Sequence, residues 1–164
     1  MKKIAFALVL GISVFFAACE TSDINPNDKN SVSLYFENLV GTDPVVLNTK
    51  TYTNASGEDF TISTFNYFVS NISLKKSDGT ELKFADKYFL VKESVEDSKT
   101  IALPDVPAGD YTSVSFMVGV DSAKSVSDVS QRTGVLDPAS YGTDNMYWSW
   151  NSGYIFFKME GTSS

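Results

Sequence analysis

The chain contains no histidine and a single cysteine, Cys19. Without histidine there are no His-based triads, no HExxH zinc sites and no His-ligated haem, and the commonest general base near neutral pH is missing. What remains is oxygen and thioether chemistry. Asp121, Asp137 and Asp144 lie in one loop-rich stretch, and aspartates with backbone carbonyls at turns are what a calcium site uses. Their spacing matches no EF-hand, and aspartate at such places equally forms turns and caps. Glu58/Asp59 and Glu96/Asp97 are adjacent acids in polar surroundings, where carboxylates are solvated rather than tuned for acid–base work. No glycine-rich phosphate loop is present. An enzyme built from these residues is not expected.

The densest chemistry is aromatic. "NMYWSWNSGYIFFKMEG", Asn145 to Gly161, holds both tryptophans of the chain together with Tyr147, Tyr154, Phe156 and Phe157. An extended stretch over 146–151 would turn Trp148 and Trp150 to one face and Tyr147, Ser149 and Asn151 to the other. Asn151-Ser152-Gly153 would turn the chain into a second strand, Tyr154 to Met159. Paired indoles are ordinarily core or edge cover; if exposed, they would serve a protein or glycan partner. Trp148, Trp150 and Tyr154 are the candidate site-lining aromatics.

The elements that must hold this block are strands. Val32, Leu34 and Phe36 alternate with polar neighbours, as do Phe65, Tyr67 and Val69. The phase slips at Ser70-Asn71 and resumes at Ile72 and Leu74, which predicts a bulge. Asp78-Gly79 predicts a hairpin turn into a strand with Leu82 and Phe84. "KYFLVKE", "KTIALPDV" and "YTSVSFMVGVDS" read as further strands. In the last, Val114, Phe116, Val118 and Val120 alternate with Ser113, Ser115, Met117 and Gly119 and should share one buried face. Ser122 to Gln131 has room for a short helical turn. The fold class is therefore all-β, an antiparallel β-sandwich in one domain.

The N-terminus is different. Met1-Lys2-Lys3 and the apolar run to Ala18 have the form of an export signal, shorter than the ~20 residues of a membrane span. "FFAAC" is close to a lipobox, which marks Cys19 for lipidation and predicts a membrane-tethered protein. The expected division is a signal peptide over 1–18, a flexible polar tether over 19–30 and a β domain over 31–164. The net charge of −7 becomes −9 once Lys2 and Lys3 leave with the signal. Such acidity disfavours nucleic acid and anionic membrane surfaces as partners. Glu20 after the cysteine leaves the outer membrane favoured over the inner.

In this order "FNYFVSNISL", "VPAGDYTSVSFMVGVDS", "GVLDPA" and "MYWSWNSGYIFFKMEG" resemble the MbnP-like family, related to methanobactin-associated periplasmic copper-binding proteins. Many of its members are lipoproteins of Bacteroidetes-type bacteria. The resemblance runs from about Ser31 to the last residue. It implies a periplasmic β-sandwich with copper as cofactor. It also implies a copper site in which a tryptophan oxidised to kynurenine acts with histidines, and a MauG-like dihaem peroxidase as the oxidising partner. Trp148 and Trp150 match the aromatic motif; the ligating histidines have no counterpart here. Family members continue past "KMEG" with further strands, so the resemblance implies a domain incomplete at its C-terminus. The donors left for a metal are then Asp121, Asp137 and the thioether of Met146, with Met117 and Met159 as further soft candidates for Cu(I).

Overall fold

A computed structural model describes residues 25, 27–148, 150 and 153–164. Cys19, the signal segment and most of the tether lie outside the described residues. Eleven strands follow in order: β1 (Lys29–Tyr35), β2 (Leu39–Val40), β3 (Asp43–Pro44), β4 (Thr51–Thr53), β5 (Asp59–Lys76), β6 (Glu81–Lys92), β7 (Thr100–Pro107), β8 (Tyr111–Val118), β9 (Tyr147–Trp148), β10 (Gly153–Tyr154) and β11 (Phe157–Ser163). All their pairings are antiparallel. The first strand begins at Lys29, opposite Pro107, two residues before the sequence reading placed the domain.

β5, 18 residues long, is the spine. It carries β6 and β4 on one side, β8 and β11 on the other. The expected bulge is present: the pairing with β6 shifts between Ser70 and Ile72, and Asn71 takes φ +50°. A second shift, opposite Glu160/Gly161, passes over Ser63. Each extra residue reverses the alternation. Together they keep Ile62, then Phe65, Tyr67 and Val69, then Ile72 and Leu74 all on one face.

Against that face lies the two-stranded sheet of β1 and β7. Val32 and Leu34 with Ile101, Leu103 and Val106 pack onto Tyr67, Val69, Ile72, Leu74 and Val91. This is the two-layer core that the alternation requires. A polar network, buried at Lys99, part-buried at Asn38 and Glu93 and exposed at Glu96 and Tyr35, closes one end of it. The Tyr67 hydroxyl donates to Asn38, whose amide donates to Glu93. Lys99 pairs with both Glu93 and Glu96, and Glu96 accepts from Tyr35.

The opposite face of β5 centres on Phe68, which is fully buried. The chain between β8 and β11 crosses over to cover it, contributing Val120, Leu136, Tyr141, Met146 and Tyr154. Within that segment lie α1 (Ser122–Ser125) and three 3-10 turns, at Val129–Gln131, Gly134–Leu136 and Pro138–Asp144.

Three expectations are corrected. "ELKF" and "KYFLVKE" form one strand, β6, because a left-handed residue at Asp86 (φ +55°) absorbs the break without ending the pairing. Val120 does not share the face of Val118: Gly119, at φ +136°, turns the chain and sends Val120 into the Phe68 cluster. Val114, Phe116 and Val118 do lie on the core face, opposite Leu74 and Val69, yet remain about half exposed. The β1–β7 sheet covers β5 and β6 and stops short of β8.

Gly161 sits at the second register shift, where a Cβ would collide with the Thr61 carbonyl oxygen. Gly161→Ala is therefore expected to push β11 off β5 past Glu160 and to cost about 1–3 kcal/mol. Urea unfolding would measure the loss, and amide exchange would show Thr162 and Ser163 unprotected while Phe68 stays protected.

Candidate functional site

Trp148 ends β9, and Trp150 follows it in the connection to β10. Ser149, Asn151 and Ser152 lie outside the described residues, so of the turn expected at Asn151–Gly153 only Gly153 is described. Gly153 pairs with Trp148 and Tyr154 with Tyr147. The second strand expected over Tyr154–Met159 is broken at Ile155–Phe156: Tyr154 belongs to β10, and β11 starts at Phe157.

The indoles stand together, with centroids 5.6 Å apart and planes at 61°. They are not core: Trp148 is 45% exposed and Trp150 77%. Tyr147 and Tyr154 form the other, inward face of the ladder, edge to face at 5.2 Å. Tyr154 packs on Phe68 at 5.6 Å and donates its hydroxyl to the Leu136 carbonyl. Burial pushes its phenol above the ordinary range. Tyr154 is therefore an anchor beneath the pair rather than part of an open site.

Arg132, the chain's one arginine, sits 4.9 Å over the Tyr147 ring and 5.8 Å from that of Tyr154, and donates to the Ser127 carbonyl. A guanidinium stacked on aromatic rings stiffens both partners. The result is a rigid pedestal of Tyr147, Tyr154 and Arg132 carrying an exposed indole pair.

The metal candidates do not converge. Asp121 caps α1 through the Lys124 amide and accepts a short hydrogen bond from the Tyr88 hydroxyl, which holds its carboxyl below the usual range. Asp137 accepts from the Ala139 amide at the start of its 3-10 turn. Asp144 pairs with Lys92 at 2.9 Å. Met146 is wholly buried among Phe68, Leu136 and Tyr154. Met117 and Met159 lie on different strands, β8 and β11. Among the described residues no group of three His, Cys, Asp or Glu side chains is placed to hold a metal ion. The acid pairs are engaged singly: Glu58 accepts from Asn54, Asp59 from Thr53, and Glu96 binds Lys99 and Tyr35.

An antiparallel all-β domain with a pinned, solvent-facing aromatic pair is the class these observations define. A family model described as MbnP matches residues 29–164, and the chain belongs to that family. No curated protein and no solved structure matches the chain.

Tyr88 on β6 and Asp121 at the head of the covering segment clamp that segment to the sheet. Because the Asp121 carboxyl is held below its unfolded value, its contribution is full above about pH 4 and fades as pH falls through the depressed value. Tyr88→Phe is expected to cost about 1–3 kcal/mol at pH 7. The difference from the parent should shrink toward pH 2–3 in denaturant titrations at each pH.

Proposed function

We propose that the protein is a non-catalytic, lipid-anchored binding protein of the periplasm with a role in copper handling, and that Trp148 and Trp150 form its working face. The observation that carries the face is exposure: two large apolar side chains are held in water on a pedestal of buried Tyr154 and part-buried Tyr147. Paired aromatics of this kind are what binding surfaces use as rigid anchors. Family membership is what supports copper. The lipobox at Cys19 supports the tether, with the outer membrane as its site.

The donor set limits how copper is met. With no histidine in the chain and Asp121, Asp137 and Met146 committed elsewhere, the described residues do not form a copper centre of their own. The chain's own part is the indole face, and the remaining ligands for copper would come from elsewhere. The exposure of the pair also favours a second reading, a protein or glycan partner bound through the same indoles with no metal involved. Oxidation of either indole to kynurenine by a dihaem peroxidase partner belongs to the copper reading alone.

Metal analysis of the protein purified from its own bacterium tests this first. Stoichiometric copper, lost or weakened at least tenfold in Trp148→Ala or Trp150→Ala, is the expected result. Mass spectrometry of the same material checks for kynurenine at either position. No copper after loading with Cu(I) and Cu(II), with the indoles still protected from oxidation in the native envelope, would overturn the copper reading in favour of a partner. Cys19→Ala should release the protein from the membrane fraction.

A further inference from the structure

Asn66 of β5 lies opposite Lys92 of β6 and Lys158 of β11, so the three form a row across three strands. Opposed residues of an antiparallel pair share a face. Here it is the face of Phe68, beneath the covering segment. The Glu93 amide donates to the Phe65 carbonyl. Asn66 and Lys92 are therefore a non-hydrogen-bonded pair, the kind whose side chains stand closest.

Both lysines reach up to the chain that leads into the indole pair. The Lys92 ammonium meets the Asp144 carboxylate at 2.9 Å, and its side chain is 20% exposed. The Lys158 ammonium donates to the Asn145 carbonyl at 3.3 Å and stands 3.5 Å from the exposed Glu160 carboxylate. Asn145 in turn accepts the Tyr147 amide on its side chain, and the Met146 carbonyl accepts the Ile155 amide. The row is thus tied to β9 and Trp148.

Between the lysines, Asn66 is 2% exposed, and its Nδ2 has no hydrogen-bond partner among the described residues. Leaving a buried donor unpaired is costly, and nearly all such groups in folded proteins have a partner. At this row β5 already has a strand on each side, with Asp144 and Asn145 above. A strand added outside β11 would lie two strand spacings from β5, about 10 Å away. The partner of Asn66 must therefore be small.

The surroundings select its kind. A metal cation would face two ammonium groups. An anion would face the Asp144 and Glu160 carboxylates and the Asn145 carbonyl oxygen. Water can accept from Asn66 and donate to the Asp144 or Asn145 oxygen, which gives it the two or more polar partners that a buried water needs. We propose that one buried water joins Asn66 to the Asp144–Asn145 chain, which makes Asn66 a positioning residue for the indole pair. The water does not depend on what the indoles bind; its value as a support rests on the reading of that pair as the working face.

A crystal structure of the full chain that resolves ordered water is expected to show one within hydrogen-bond distance of Asn66 Nδ2 and of the Asp144 carboxylate or the Asn145 carbonyl. Asn66→Leu keeps the volume of the side chain and removes the bridge. In this variant the Ile155 amide is expected to exchange about fivefold faster, the factor that one hydrogen bond of about 1 kcal/mol supplies. Trp148 and Trp150 are the chain's only tryptophans, so a shift of tryptophan emission in the same variant reports on the pair alone. Unchanged exchange along the rest of β5 and β6 would separate loosening of the segment from loss of the fold. Asn66→Thr, which keeps a hydroxyl donor on the same face, should exchange closer to the parent than to Asn66→Leu, and with the crystal structure it decides the matter if the leucine variant does not fold. A direct bond between the Asn66 side chain and a neighbouring side chain in place of the water would overturn the proposal. So would an ion refined at the site, or a leucine variant that is more stable than the parent with unchanged emission. None of these readouts involves copper or a partner, so the water can fail without the working face failing, and the reverse.

Discussion

Everything in this molecule is hung on β5, and β5 is fixed at Phe68. At that residue the strand is buried on both faces, with Val69 under the β1–β7 sheet and Phe68 itself under the covering segment. Its backbone holds the two ends of that segment, through Gly119 and Phe156. A central strand covered on both sides must be apolar at consecutive positions, and Tyr67-Phe68-Val69 is. The indole pair, at the far end of the covering segment, is positioned through Met146 and Tyr154, both of which pack into the Phe68 cluster.

The inner layer was legible because its signals are local. The phase slip at Ser70-Asn71 is a bulge, Asp78-Gly79 is a hairpin, and the short helical turn after Asp121 forms where a capping aspartate precedes it. The ambivalence of Asp121 and Asp137 resolved toward capping for the same reason: each finds an amide two or three residues away. What sequence could not give was long-range. Alternation in β8 fixed which residues face inward but not whether a second sheet reaches them. Gly119 looked like one more polar-side position, while its backbone redirects the chain. That β8 and β11 run along one side of β5 depends on the pairing of residues far apart in the chain, on which no local pattern bears.

The aromatic block shows the same division. The two indoles stand together and Tyr147 faces inward, although only Tyr147 and Trp148 are extended and Trp150 sits in a turn. Whether the indole side meets protein or water is a matter of tertiary packing, and here it meets water. Arg132 lay beyond reach for the same reason, since its stacking on Tyr147 and Tyr154 joins segments that sequence alone does not bring together.

The splice at Gly119 and Phe156 has an evolutionary reading. A Cβ at Gly119 would lie 3.1 Å from the Phe156 ring, so glycine is what lets the departing and returning chain pass each other. Val118 and Phe157 then sit opposite Val69 and Tyr67, two β5 residues apart, as alternate residues on one face of an uninterrupted strand would. The covering segment is in effect an insertion into the middle of a strand. So long as the residues over Phe68 stay apolar, the surface it displays can be rewritten without altering the ladder that flanks it. A lineage can in this way retain the sheet while replacing the face presented to the outside.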